Sequence, residues 1–402
     1  MNNKINIGLL GLGTVGSGVY KVLQNFENIN ITKIAVSNIN KKRNIEGLNT
    51  DLLTDNAESI VNNPEIDILV ETIGGINPAY DLIKTAINNG KHIVTANKEL
   101  IAKHGKELFS LAKERNVVIL YEAAVAGGIP IIMPIKTALA ANKITKIAGI
   151  LNGTTNYILT KMDQEGAEFE TVLKEAQELG YAEQDPTGDV QGYDAAYKIS
   201  ILASIAFNKR IDVNNIYREG IDKITPVDIE YAQEFGYKIK LIALAQNEEG
   251  NRTDVRVHPM LVSEKHPLAH INGVLNAIVL DGKPVGQVMF SGPGAGEFPT
   301  ASSAVGDVLN IANELTYTRN PLPMMRCRHE EDSIPINIEE TRNKYYINVN
   351  AYNAPGVIGE LGLICGRNNI NLSSIIQKGI LKDGSAMVVM LTEAALEKNL
   401  NK

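Results

Sequence analysis

Cysteine is scarce in this chain. Cys327 and Cys365 are the only two in 402 residues, which excludes a disulfide framework and points to free thiols in a reducing compartment. No uninterrupted apolar run reaches the roughly 18 residues that a membrane span needs. The opening MNNKINIGLLGLG passes straight into strand-like sequence and a glycine turn, unlike a signal peptide. Excess basic charge is missing too: the net charge of -7 argues against nucleic acid or an anionic membrane as the main partner. None of the six histidines stands in metal-ligand spacing; His104 lies mid-helix, and His258 and His266 each precede proline. G-x-S-x-G and Cys/His nucleophile signatures do not occur. A soluble, cytoplasmic protein acting on small molecules is expected.

Composition is that of a globular protein, 44% hydrophobic and 21% charged, and the length suits two or three domains. From residue 4 to about 122, short apolar runs (KINIGLL, ITKIAVS, IDILVE, HIVTA, VVILYE) alternate with helical stretches such as NKELIAKHGKELFSLAKERN. That alternation predicts a parallel sheet covered on both faces. Gly11, Gly13 and Gly16 form G-x-G-x-x-G where the first strand meets the first helix. There the glycines allow a tight turn, close approach of a pyrophosphate and close helix–strand packing, and the helix N-terminus, with Thr14 and Val15, favours the negative charge. A glycine turn that merely closes a tight connection is the alternative. An NAD site usually carries an acid about 20 residues on, at the end of the second strand. AVSNINKKR has none there, and Lys41, Lys42 and Arg43 follow. This tilts the expectation toward NADP over NAD, a solvated basic turn being the equal alternative.

The stretch LGYAEQDPTGDVQGYDAAYK (179–198) crowds Glu183, Asp185, Asp189 and Asp194 ahead of Lys198, and almost entirely apolar sequence follows. Asp194 and Lys198 are four apart, hence on one helix face. A surface pair at that spacing contributes only a few tenths of a kcal/mol. The apolar remainder of the helix instead implies a buried lysine, which must be partnered or have its pKa lowered by desolvation. A proton-abstracting amine needs that property. Asp185 reads as a turn or cap before Pro186.

ETIGG (71–75), GKHIVTANKEL (90–100), EAAVAGGIPII (122–132), GILNGTTNYILTKM (149–162) and GPGAGEFPTASSAVGDV (292–308) each resemble homoserine dehydrogenase, in the family's order. The resemblance implies NAD(P)-dependent interconversion of L-homoserine and L-aspartate 4-semialdehyde, on the route to threonine, methionine and isoleucine, by a homodimer or homotetramer. It implies Lys198 as general acid/base, Glu183 and Asp194 as substrate ligands, and Asp189 as an orienting acid. Lys98 would stand near both nicotinamide and substrate. Thr95, Gly292 and Gly296 would approach the cofactor. The region of Glu122 with the carbonyls of Val125, Gly127 and Ile129 would hold a monovalent cation such as Na⁺; plain close packing is the alternative there. NGTTNYIL opens a helix with Asn152 or Thr154 as cap, and the family lines its substrate cleft with that segment. Retention of Lys98, Glu183, Asp194 and Lys198 argues against a non-catalytic sensor. An amino-acid dehydrogenase using free ammonia is the other enzyme reading.

The expected architecture is α/β. A doubly wound Rossmann domain spans 1–130 and is completed by about 292–320. An α+β catalytic and dimerisation domain (131–291), a polar linker (321–342) and a small βαββα unit (343–402) make up the rest. The last resembles an ACT domain, with Asn353, Pro355, Gly356 and Val357 at the turn where that family binds its ligand, commonly threonine here. A structural or dimerising tail is the alternative. Read to Lys402, the unit lacks the module's final strand, so an open edge, or one completed by another chain, is expected.

Overall fold

The computed structural model describes residues 4–317, 326–327, 329–378 and 384–401. The first unit is a six-stranded parallel sheet of β1 (Ile5–Leu10), β2 (Ile29–Ala35), β3 (Leu53–Thr54), β4 (Ile68–Glu71), β5 (His92–Thr95) and β6 (Ile119–Leu120), in the order β3-β2-β1-β4-β5-β6. Strand order reverses between β1 and β4, the position at which such sheets open a ligand crevice beyond their carboxyl ends. Helices α1 (Thr14–Leu23), α2 (Ala57–Val61), α3 (Ala79–Asn88) and α4 (Lys98–Glu114) connect the strands. Burial follows the period of two. Ile68 and Val70 pack with Val19 and Leu23 of α1, whereas Leu69 packs with Ile83 of α3 and Leu108 of α4. Both faces are therefore covered, as the unbroken apolar runs predict. Two-residue β3 went unread, since so short a strand leaves no pattern.

The second unit is built on a mixed seven-stranded sheet. After α5 (Ile132–Lys136) come β7 (Lys143–Ile150), α6 (Gly153–Glu165), α7 (Phe169–Glu178), α8 (Thr187–Val190) and α9 (Tyr193–Phe207). Then follow β8 (Tyr217–Arg218), α10 (Pro226–Glu234), β9 (Tyr237–Asn247), β10 (Arg252–Ser263), β11 (Leu275–Lys283) and β12 (Gly286–Pro293). Helix α11 (Glu297–Tyr317) returns to the first unit, where Ala301, Val305 and Val308 pack with Val19 and Leu23 of α1. Helix α9 is buried nearly all round. That is tolerable because Ser200 and Ser204 donate to carbonyls within the helix, at 2.8 and 2.6 Å. One hydrophobic core runs from the α3–α4 face of the first sheet into α6, α9 and the second sheet, and ties the two units together.

The described part of the polar run 326–343 lies along the molecule. β13 (Ile334–Pro335) adds to β10 in parallel, and Arg256 of β10 binds Thr341 and Asn343 through its guanidinium, at 3.2 and 2.7 Å. Residues 318–320 of the segment expected to complete the first domain, and 321–325 and 328 of the expected linker, fall outside the described residues. β14 (Arg342–Asn343), β15 (Tyr346–Tyr352), α12 (Val357–Arg367), β16 (Leu372–Lys378), β17 (Ser385–Thr392), β18 (Ala395–Leu396) and α13 (Glu397–Leu400) complete the chain. Strands β15, β17 and β16 make an antiparallel sheet with β17 central, and β18 pairs with β14. Residues 379–383, within the expected βαββα unit, fall outside the described residues. Asn353, Pro355 and Gly356 are exposed in the β15–α12 turn, with Val357 opening the helix.

Candidate active site

Helix α9 brings Asp194 and Lys198 to one buried face, their side chains only 9% and 10% exposed. Lys198 Nζ donates to Asp194 Oδ2 and to the Leu151 carbonyl, both at 2.7 Å. Lys98, the first residue of α4, reaches Asp194 Oδ1 at 2.7 Å and is 40% exposed. Asn152 caps α6 by accepting from Thr155 N at 2.8 Å, and its Nδ2 donates to Asp189 Oδ1 at 2.7 Å and Asp194 Oδ2 at 2.9 Å. Thr154, the other candidate cap, donates its hydroxyl to the Tyr181 carbonyl at 2.7 Å, which pins the acidic loop to α6. Asp185 accepts the Thr187 N–H at 3.1 Å, a turn contact.

One carboxylate thus serves two ammonium groups. A contact of this kind is worth about 4 kcal/mol at 4 Å and an effective dielectric of 20, comparable to the several kcal/mol each buried ion loses in desolvation. Asp194 cannot offset both lysines, and the more buried one yields. Burial pushes Lys198 below the ordinary lysine value; Asp194 opposes the shift and Lys98 adds to it. Burial also works against the Lys98 charge, but Asp194 outweighs it and leaves that lysine raised. For Asp194, burial is overcome by Lys198 and Lys98, which hold the carboxyl well below the usual range. Asp189 is raised, first by burial and then by Asp194, against side-chain contacts from Asn152 and Thr154 and the Lys198 charge. Glu183 is exposed, and among the described residues its carboxylate makes no hydrogen bond.

The nucleotide crevice is equally concrete. A Cβ on Gly16 would lie 2.2 Å from the Gly11 carbonyl oxygen, while Gly13 has no neighbour within 4 Å of a built Cβ. Packing therefore demands one glycine, and the other leaves an open cradle. No side chain caps α1, so its first N–H groups, at Thr14 and Val15, are available to an anion. At the carboxyl ends of β4 and β5, buried Glu71 accepts from Ile73 N, Gly74 N and the Thr95 hydroxyl, at 2.7, 3.0 and 2.6 Å. Thr95 is fully buried and ties β5 to β4. Gly292 and Gly296 flank the loop that enters α11. In that loop Pro293 accepts from Gly128 N at 3.1 Å, and Ser303 of α11 donates to the Gly127 carbonyl at 2.6 Å.

The Glu122 carboxylate accepts from Ile131, Ile132 and Met133 N–H groups at 2.6, 2.7 and 2.7 Å. It caps α5, and burial, opposed by those donors, raises its pKa. Asp307 accepts from Glu122 N at 2.8 Å and is pushed well up, by burial and then by the Glu122 charge. Two residues that the sequence does not single out as site residues emerge nearby, although Glu71 opens the ETIGG motif. Glu71 organises the crevice floor, and Asn276 lies 1% exposed against Gly294 with no partner for its Nδ2 or Oδ1 among the described residues.

Comparison with known proteins agrees with this geometry. Residues 11–122 match the family model for the homoserine dehydrogenase NAD-binding domain, and 130–309 that for homoserine dehydrogenase. The homoserine dehydrogenase of Synechocystis sp. is 45% identical, the alignment covering 98% of this chain and 93% of that protein. The chain belongs to the homoserine dehydrogenase family. A solved homoserine dehydrogenase from Thiobacillus denitrificans superposes with a TM-score of 0.92 at 42% identity, over 99% of this chain and 93% of the other. A hyperthermophilic archaeal homoserine dehydrogenase, solved in complex with NADPH, gives 0.66 at 28% identity, over 79% and 100%. The α/β fold, the nicotinamide-dinucleotide-binding domain and the oxidoreductase class follow from this membership. No helix among the described residues is long and apolar enough to cross a membrane.

Proposed function

We propose that the protein interconverts L-homoserine and L-aspartate 4-semialdehyde, with Lys198 as general acid/base. The observation that carries this is the Lys198 amine, buried and fixed at 2.7 Å to both Asp194 and the Leu151 carbonyl, with its pKa lowered by burial. Two contacts orient the nitrogen, leaving its third tetrahedral position for substrate. In oxidation, the neutral amine takes the proton of the substrate hydroxyl as the adjoining carbon gives up hydride. In reduction, the ammonium returns that proton to the aldehyde oxygen. A bound nicotinamide supplies or accepts the hydride. Asp194 stabilises the ammonium formed on Lys198, so the proton moves without leaving an unpaired buried charge. Lys98, partly exposed at the mouth, offers positive charge to the substrate carboxylate. Asp189 and Glu183 offer negative charge to its ammonium group.

The cofactor reading is NADP at least as readily as NAD. Beyond β2 no carboxylate awaits a ribose hydroxyl, Lys41 and Lys42 are exposed, and Arg43 is folded back onto the Asn38 and Lys41 carbonyls at 2.8 and 2.9 Å. A hard cation such as Na⁺ prefers oxygen ligands, and we assign it the carbonyls of Val125, Gly127 and Ile129 with the main chain of Glu122, the Gly127 carbonyl also accepting from Ser303. The Glu122 carboxylate is committed to α5. The C-terminal sheet and α12 suit an ACT-like module, with threonine at the Asn353–Val357 turn. A cytoplasmic homo-oligomer in threonine, methionine and isoleucine biosynthesis completes the reading. Lys198→Ala tests it: NADPH binding, followed by fluorescence, stays near normal, while homoserine oxidation falls at least about a hundredfold. Retained turnover removes Lys198 from its role.

A further inference from the structure

We propose that Asn152 is a positioning residue for the reaction, its carboxamide joining Asp189 and Asp194 into one substrate-facing pair anchored to the start of α6. The proposal rests on the homoserine reading above. Its Oδ1 accepts from Thr155 N at 2.8 Å and from the Thr155 hydroxyl at 3.0 Å. Both donors belong to the first turn of α6, so the oxygen end of the amide is spoken for. The Nδ2 end must then face the carboxylates, where an oxygen would be repelled, and it donates to Asp189 at 2.7 Å and Asp194 at 2.9 Å. Few side chains meet both demands. Serine and threonine cap well but have a single hydrogen on a shorter arm. Aspartate caps equally well and would set a third carboxylate against the other two.

The two acids it joins differ in support. Asp194 belongs to the long, buried α9, whereas Asp189 sits in the single turn of α8, part-exposed. Asn152 holds the second to the first. Its neighbour Leu151 accepts from Lys198, so one two-residue turn after β7 contacts Lys198, Asp189 and Asp194. The charges around the pair are Lys98 from α4 and Lys198 from α9, together with the two acids themselves. A donor shared by two carboxylates favours both charged forms, which opposes the upward push that burial and Asp194 exert on Asp189.

Asn152→Ser and Asn152→Asp, each retaining a capping oxygen, separate this from capping alone. For Asn152→Ser, melting stays near wild type and NADPH affinity is unchanged. Homoserine kcat/KM drops about 10- to 100-fold, the effect of losing a hydrogen bond to a charged group, with KM carrying much of it. The acid limb of the pH profile moves up, because the carboxyls protonate more readily. Asn152→Asp drops further and moves the limb higher. Wild-type kcat/KM and an unmoved acid limb in both variants overturn the proposal; should the serine variant not fold, the aspartate variant decides alone. If the wild-type protein itself does not turn over homoserine, the reaction is refuted. Carbon NMR titration of Asp189 in wild type and variants then still decides: an unshifted carboxyl pKa removes Asn152 from this role.

Discussion

The catalytic cluster and the C-terminal unit solve opposite problems. In the cluster, Asp194 and Lys198 sit under 11% exposed and every buried charge has a partner within the chain. In the C-terminal unit, α12 buries only Cys365 among its residues, and Leu363, Ile364 and Tyr352 stand 60%, 53% and 88% exposed. One region spends polar groups inside, where each missing contact is expensive. The other leaves apolar groups outside, where each contact is worth little to this fold. Substitutions should therefore be severe in the first region and mild in the second, in chemistry as well as in stability.

The largest expected effect is in the cluster. Asp194→Asn lowers homoserine oxidation by about a hundredfold or more, since it removes the partner of the ammonium that forms on Lys198. Because Asp194 opposes the depression of the Lys198 pKa, the rising limb of the oxidation that remains moves to lower pH; a limb moving upward would contradict the assignment. In the wild type the sign is fixed in the same way. Burial depresses Lys198, so oxidation, which needs the neutral amine, rises with pH and levels off below the ordinary lysine pKa of about 10.4. Reduction, which needs the ammonium, declines over the same window. Measured kcat/KM profiles in both directions check this.

Next comes Glu122→Ala, which strands the Ile131, Ile132 and Met133 N–H groups inside the protein. A loss of about 3 kcal/mol or more in denaturant unfolding is expected; a loss below about 1 kcal/mol would show that the carboxylate is not needed there. Smaller still is Tyr346→Phe. The Tyr346 hydroxyl donates to Asp228 at 2.8 Å, part of the contact between β15 and α10. Its removal costs about 1.5 kcal/mol and leaves homoserine turnover within about twofold, as for sites sharing no partner. Smallest is Leu363→Ser, within about 0.5 kcal/mol of wild type by thermal melting. A large destabilisation there would show α12 covered in solution, and the contrast between the regions would fail.

The same contrast explains what could be read from the chain. The longer strands of the first sheet, the glycine cradle and the Asp194–Lys198 pair are patterns confined to a few consecutive residues, so they were legible, whereas two-residue β3 was not. The polar ties were not. Asn152 meets Asp189 and Asp194 across 37 and 42 residues, and Thr95 meets Glu71 across 24. Capping marked Asn152 as a helix start, but nothing local shows where its amide nitrogen points. Glu122 was read for its main chain, yet its carboxylate binds three N–H groups of a helix whose start carries no capping residue of its own. Glu183, which the resemblance implies as a substrate ligand, stands exposed in the loop, where no local pattern shows what it would face.

The central claim is that Lys198, buried beside Asp194, moves the proton in homoserine oxidation. The most direct measurement follows the absorbance of reduced nicotinamide with purified protein, L-homoserine and NADP⁺, for wild type and Lys198→Ala side by side, with NAD⁺ and no-homoserine controls. The account predicts homoserine-dependent reduction by the wild type and at least about a hundredfold less by the variant, with cofactor binding intact. Equal rates in the two proteins, or no homoserine-dependent reduction by folded wild type with either cofactor, would contradict it.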